Sequence, residues 1–187
     1  FLKSEGVSTD TRSIEADQIY FALKGPTFDG NQYCKQAIAK GASHCVIDDP
    51  KAQLEDRTIL VEDVLECLQS LALFHRKSLT IPVIALTGSN GKTTTKELIA
   101  IVLQQKYKVA YTKGNLNNHI GVPLSLLSIR SEHEIAVIEM GANAQKEIEF
   151  LSSLALPDIG LITNYGKAHL EGFGGVEGVI KGKSELY

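Results

Sequence analysis

The stretch Val83-Ile-Ala-Leu-Thr-Gly-Ser-Asn-Gly-Lys-Thr-Thr-Thr95 constrains the fold of this chain more than any other. The run from Pro82 to Leu86 has no polar residue, as a parallel strand covered on both faces requires. It leads directly into a glycine turn that closes on Lys-Thr. Gly88 and Gly91 let the backbone bend sharply and bring amide N–H groups close to an anion, and a helix starting behind them adds its positive end. Strand, phosphate-binding loop and helix are expected in that order, with Gly88, Ser89, Asn90, Gly91, Lys92, Thr93 and Thr94 as nucleotide-binding candidates. Lys92 would place a point charge on β/γ-phosphates, and Thr93 would offer a hydroxyl to Mg²⁺. Leu86 stands where the standard phosphate loop has its first glycine, so the loop is of a shorter Gly-x-x-Gly-Lys-Thr form. The bland alternative is a plain glycine turn before a helix.

From Pro82 onward strands and helices alternate. A helix is expected from about Thr94 to Gln105 with Leu98, Ile99, Val102 and Leu103 as its apolar face, then a strand over Lys108–Tyr111. A helix near Pro123–Ser128 precedes a strand over Glu134–Met140, and a helix from about Gln145 to Leu154 precedes a strand over Asp158–Thr163. That order argues for a parallel sheet with helices on both faces. Gly178 to Tyr187 reads as a helix still in progress.

Residues 1 to about 80 have a different texture. Short strands at Ile19–Leu23, Cys45–Ile47 and Thr58–Val61 alternate with turn signals such as Lys24-Gly-Pro26 and Asp48-Asp-Pro50. A helix over Asn31–Lys40 is stopped by Gly41. Another starts at Asp63, with Glu66 at capping-box spacing and Val64, Leu65, Leu68, Leu71 and Ala72 as a core stripe. The expected class is α/β: a small α+β domain over residues 1–80, then a mostly parallel-sheet phosphate-loop domain over residues 82–187. The boundary falls at Leu79–Pro82, because a proline disfavours helix in the residue before it.

Composition narrows the functions. With 22% charged and 43% hydrophobic residues and a net charge of −3, the 187-residue chain has an ordinary globular composition and no basic footprint for nucleic acid or anionic membrane. No apolar run approaches the length of a membrane span. Cys34, Cys45 and Cys67 match no zinc or disulfide spacing and read as buried thiols in a reducing cytoplasm. Both ends read as cut from a longer protein.

In open α/β sheets ligands bind beyond the carboxyl ends of the strands, so polar residues at those ends are site candidates. Thr87, Glu139 and Asn164 each fall at or just past a predicted strand end. Glu139, after the apolar run Ile135–Ile138, suits a carboxylate that holds Mg²⁺ directly or through water, with a solvated strand-end carboxylate as the alternative. His169 lies five residues after Asn164 in a glycine-rich loop, where a neutral imidazole suits a divalent metal or a phosphate-adjacent hydrogen bond, or is simply a surface residue. Gly114-Asn-Leu-Asn-Asn-His-Ile-Gly-Val-Pro123 offers Asn115, Asn117 and Asn118 as uncharged donors and acceptors for sugar hydroxyls or phosphate oxygens, unless they serve only the turn. Ser8-Thr-Asp-Thr-Arg12 packs hydroxyls, a carboxylate and a guanidinium into five residues, a binding loop for a polar anionic ligand or a cap and turn.

With these residues in view the chain resembles the Mur ligases, and among them the MurF type, over essentially its whole length. Thr87-Gly-Ser-Asn-Gly-Lys-Thr93 is similar to the short phosphate loop shared by Mur ligases and folylpolyglutamate synthases. The type-specific matches are Gly114–Pro123, Glu139-Met-Gly-Ala-Asn143 and Ala168-His-Leu-Glu-Gly-Phe-Gly174. The resemblance implies a cytoplasmic, monomeric ligase that uses ATP and Mg²⁺ to join D-Ala-D-Ala to UDP-N-acetylmuramoyl tripeptide through an acyl phosphate, in peptidoglycan precursor synthesis. It implies that Lys92 binds phosphates, that Thr93 and Glu139 serve Mg²⁺, and that His169 is a ligand of a second Mg²⁺. It also implies a carbamylated lysine, placed at Lys183 rather than Lys181 by the following Glu-Leu-Tyr. Ser8, Thr9, Asp10, Arg12 and Lys24 would hold the uridine diphosphate. Ala168 departs from sister families, which carry Asp there; the MurF type tolerates Ala. Since the family's ATPase domain continues past Tyr187 and a third domain follows it, a chain of this extent is expected not to catalyse alone. Alternatives are a MurE-like or folylpolyglutamate-synthase-like ligase, or a phosphate-loop switch of the GTPase kind, which would need an Asn-Lys-x-Asp motif that does not occur.

Overall fold

The computed structural model describes residues 1–187 and divides them into two compact units, Phe1–Leu71 and Ala72–Tyr187. In the first unit the strands β1 (Val7–Ser8), β2 (Ile19–Phe21), β3 (Lys24–Gly25), β4 (Phe28–Asp29), β5 (His44–Ile47) and β6 (Thr58–Leu60) accompany helix α1 (Cys34–Ala39). The main sheet runs in the order β1-β2-β5-β6 with every pairing parallel, while β3 and β4 form a small antiparallel pair. Tyr20, Ala22, Cys34, Ala37, Cys45 and Ile47 make up its core. The helix expected over Asn31–Lys40 is split: a 3₁₀ turn over Gly30–Tyr33 precedes α1, because the Asp29 carboxylate accepts from the Asn31 amide and fixes a tighter first turn. All three cysteines are free.

Helix α2 (Val64–Ser78) begins where its cap predicts, with the Asp63 carboxylate accepting from the Glu66 amide at 2.8 Å. It carries the chain across the division at Leu71, and Val64, Leu68 and Ala72 are all buried.

The second unit holds β7 (Val83–Thr87), α3 (Lys92–Leu103), β8 (Val109–Tyr111), α4 (Gly121–Leu127), β9 (Ile135–Glu139), α5 (Glu147–Ala155), β10 (Ile159–Ile162), α6 (Leu170–Phe173) and α7 (Val176–Ser184). Its sheet is parallel throughout, in the order β10-β7-β9-β8, with Leu86 paired to Glu139 and Thr87 to Ile162. The fully buried residues of β7 and β9 explain why both strands read as unbroken apolar runs. No helix is long and apolar enough to cross a membrane.

Three local expectations change. Helix α3 starts at Lys92, because Gly91 at φ 76° turns straight into it. Its packing face differs too: Leu98 and Val102 are 59% and 69% exposed, whereas Lys96 and Ala100 are buried. Counting apolar residues misses that face because a lysine belongs to it. Helix α7 stops at Ser184, where the chain turns and the Tyr187 amide donates to the Ser184 carbonyl.

Candidate active site

Strand β7 ends on Thr87, and the backbone reverses through Gly88 at φ 143°. A Cβ on Gly88 would lie 2.0 Å from Thr163 Oγ1, so the close approach of the loop to the end of β10 requires glycine. Residues 163–166 brace the loop from that side. Thr163 Oγ1 and Asn164 Nδ2 both donate to the Asn90 carbonyl, at 2.7 and 2.9 Å, and Ser89 Oγ donates to the Gly166 carbonyl at 2.9 Å. Asn164 thus shapes the loop through its side chain.

Behind the loop the first amides of α3 have no partner within the helix, and the helix dipole adds to them. Lys92 Nζ folds over the loop and donates to the Gly88 carbonyl at 2.8 Å. Burial depresses its pKa, and the nearby Glu139 carboxylate opposes that. Lys92 is positioned for exchange: a phosphate oxygen would replace a carbonyl as its acceptor with a gain in charge complementarity.

Glu139, fully buried at the end of β9, is the electrostatic centre. Its amide donates to Thr112 Oγ1 at 3.0 Å. Its Oε1 accepts from Asn117 Nδ2 at 2.7 Å and from Thr93 Oγ1 at 3.3 Å. Its Oε2 has no hydrogen-bond partner, and Lys96 Nζ stands 3.7 Å away. A buried carboxylate oxygen left without a donor, beside a threonine hydroxyl, is a fitting donor set for a hard divalent cation. No group of three or more His, Cys, Asp or Glu side chains converges, so protein atoms alone offer no full cage. Mg²⁺ suits such a site, since it keeps waters and takes further oxygens from substrate phosphates.

The asparagine loop divides its labour. Asn117 supports Glu139, Asn118 Oδ1 accepts from the Ile120 and Gly121 amides at the start of α4, and Asn115 is exposed. Asn117, Asn118 and His119 also line a cleft of about 580 Å³, together with Lys92, residues 141–143 and 145–147, and His169. His169 takes a left-handed φ of 55° as α6 begins. The expected glycine loop therefore contains a short helix.

Lys183, 2% exposed on α7, donates to the Ala142 carbonyl at 3.1 Å and lies 4.9 Å over the Phe173 ring. Burial first, and the charge of Lys92 second, push its pKa down to about 8. Lys181 is exposed. In the first unit Arg12 closes a bidentate pair onto Asp10, Ser8 Oγ donates to the Asp10 carbonyl, and Lys24 pairs with Asp48 at 2.8 Å. Sequence reasoning missed Lys96, Thr112 and the cleft wall formed by residues 145–147, Phe150 and Leu151. Lys96 carried one signal: it lies one helical turn beyond Lys92.

Two family descriptions match this chain, the Mur ligase family, catalytic domain, over residues 3–76 and the Mur ligase middle domain over residues 86–187. The chain belongs to the Mur ligase family. The UDP-N-acetylmuramoyl-tripeptide–D-alanyl-D-alanine ligase of Bacillus subtilis is 45% identical over 97% of this chain and 40% of its own length. A crystal structure of MurF from Acinetobacter baumannii superposes with a TM-score of 0.87 at 40% identity, covering 97% of this chain and 40% of that one. The MurF ligase of Thermotoga maritima in complex with ADP gives 0.85 at 34% identity, covering 98% and 43%. This Mur ligase chain spans about two fifths of the length of the relatives it matches.

Proposed function

We propose that the protein is an ATP-dependent amide ligase of the MurF type, a monomer of the cytoplasm, joining D-Ala-D-Ala to UDP-N-acetylmuramoyl tripeptide. The observation that carries this is the buried Glu139 with its open oxygen, bonded both to Thr93 of the braced Gly88–Thr93 loop and to Asn117, beside a cleft that Lys92 and Asn117 line. The similarity to proteins named for that activity supports it over the MurE-like, folylpolyglutamate-synthase-like and switch-protein alternatives.

In this reading the loop amides and Lys92 hold the β/γ-phosphates of ATP, so that the terminal phosphorus faces the cleft. Thr93 and Glu139 would hold Mg²⁺, which when bound neutralises charge on the phosphoryl group. His169, on the cleft wall, is assigned to a second Mg²⁺. The tripeptide carboxylate attacks the terminal phosphorus, forming an acyl phosphate and releasing ADP. The amine of D-Ala-D-Ala then attacks the acyl carbon and releases phosphate. The chain's contribution is positioning and charge neutralisation rather than covalent chemistry. Lys183, buried and with its proton loosened, suits conversion to a carbamate by CO₂, which would turn its cation into an anion beside Ala142, a residue of the cleft wall. Residues 1–80 would bind the UDP-sugar through Ser8, Thr9, Asp10, Arg12 and Lys24, and residues 82–187 the nucleotide.

The test is phosphate release by the protein in its natural length, with ATP and UDP-muramoyl tripeptide, adding D-Ala-D-Ala in one arm and a single amino acid in the other. Release requiring the dipeptide is expected. Release only with the single amino acid would reassign the enzyme to a MurE-like ligase, and a preference for GTP would remove the ligase reading.

A further inference from the structure

Lys96 takes no part in the chemistry above, yet it is fully buried, which an ammonium tolerates only when its charge is matched. Two of its partners are close: the Gly114 carbonyl and Glu97 Oε1, both at 3.1 Å. The third is Glu139 Oε2, at 3.7 Å. That spacing is too long for a hydrogen bond and short enough for strong charge attraction. The ammonium, whose charge Glu97 shares, therefore offsets part of the charge on the oxygen that stays open for a metal without occupying its lone pair.

We propose that Lys96 is an internal counter-charge that prevents Glu139 from binding a divalent cation alone, so that the cation is held only when the phosphates of a nucleotide are present. This rests on the assignment of Glu139 to Mg²⁺ made above. A hard dication needs several oxygen ligands, and this site offers one carboxylate and one hydroxyl, with no wider acidic cluster. Lys96 shares its charge between Glu97 and Glu139, and with Lys92 also in the field of Glu139 two cations stand against two carboxylates, leaving almost no net negative charge. Nucleotide phosphates at the loop would engage Lys92 and add both the missing oxygens and the missing charge. Metal and nucleotide binding are thereby made interdependent, and the residue responsible is one that touches neither.

The experiment measures Mn²⁺ binding to the protein in its natural length, by the loss of the free-ion paramagnetic signal, with and without ADP. The wild type is expected to bind weakly without ADP and much more tightly with it. Lys96→Met and Lys96→Gln should bind Mn²⁺ without ADP roughly tenfold or more tighter than the wild type. The glutamine variant can still donate to the Gly114 carbonyl, so it serves if methionine disturbs folding. A gain of binding is not what a damaged protein yields, and adding Glu139→Gln to either variant should abolish it. The proposal is overturned if both neutral variants bind no tighter than the wild type, or if the wild type binds equally well with and without ADP. If Glu139→Gln alone leaves the ADP-dependent binding untouched, the assignment of Glu139 fails and takes this proposal with it.

Discussion

Asn117 donates its side-chain amide to Glu139 Oε1 at 2.7 Å, linking the asparagine loop to the carboxylate at the end of β9. The contact is held from behind: the Gly141 amide donates to the Asn117 carbonyl at 2.7 Å, and a Cβ on Gly141 would come within 2.8 Å of Asn117 Oδ1. A hydrogen bond to a buried charge contributes about 1.5–3 kcal/mol. Asn117→Ala should therefore weaken Mg²⁺-dependent nucleotide binding by roughly tenfold or more, with a smaller effect on binding in chelator. Asn117→Asp should be worse, because it sets a second carboxylate against the first. Calorimetric titration with ADP, with and without Mg²⁺, reads both; equal losses in the two conditions would mean the amide does not act through Glu139.

Gly88→Ala should remove nucleotide binding outright. Alanine at φ 143° is strained, and its methyl would collide with Thr163 Oγ1 at 2.0 Å, pushing apart the loop and the strand end that braces it. Gly91→Ala meets no atom within 4 Å and is strained only by its φ of 76°, so it should retain weakened binding. Nucleotide-induced thermal shifts rank the two variants. A Gly88→Ala protein that binds as tightly as Gly91→Ala would show that the loop yields freely.

Much of this site was legible before the fold was known. The phosphate loop announced itself because strand, glycines and Lys-Thr lie within a few residues of each other, and Glu139 because an apolar strand ended on a charge. What could not be read were relations across the sheet. Nothing local to Asn117 or Asn118 distinguishes the one that supports Glu139 from the one that caps α4. The buried face of α3 was misread for a related reason. Lys96 looks like a solvent residue until the Gly114 carbonyl and Glu139 are placed opposite it.

Gly178→Ala should destabilise the second unit, against the usual preference of a helix interior for alanine over glycine, about 1 kcal/mol. A Cβ at Gly178 would sit 1.7 Å from the Phe173 carbonyl oxygen, a backbone atom that cannot swing aside. The neighbouring turn of α6 would have to move, and with it the Phe173 ring beneath Lys183. A loss of about 2 kcal/mol or more in denaturant unfolding is expected, against less than about 0.5 kcal/mol for exposed Lys181→Ala. A neutral or stabilising Gly178→Ala would mean that α6 and α7 are not packed this closely.

Lys183 gives the second unit a pH dependence whose sign is fixed by its environment. Burial lowers its pKa from 10.5 to about 8, so between those values the unfolded chain holds a proton that the native protein has released. Stability should rise with pH across that window, and below about pH 8 the native state carries the full penalty of a buried ammonium. That penalty is up to about 3 kcal/mol. Lys183→Met keeps the packing against Phe173 and removes the charge, so it should be more stable than the wild type at pH 7, and the two should converge as pH approaches 10.5. The comparison belongs in CO₂-free buffer, because a carbamate would replace the cation with an anion and reverse the preference for low charge. Adding bicarbonate should then stabilise the wild type and leave Lys183→Met unchanged. Denaturant midpoints for both proteins from pH 7 to 10.5 decide it, and a constant difference over that range would show that Lys183 does not titrate there.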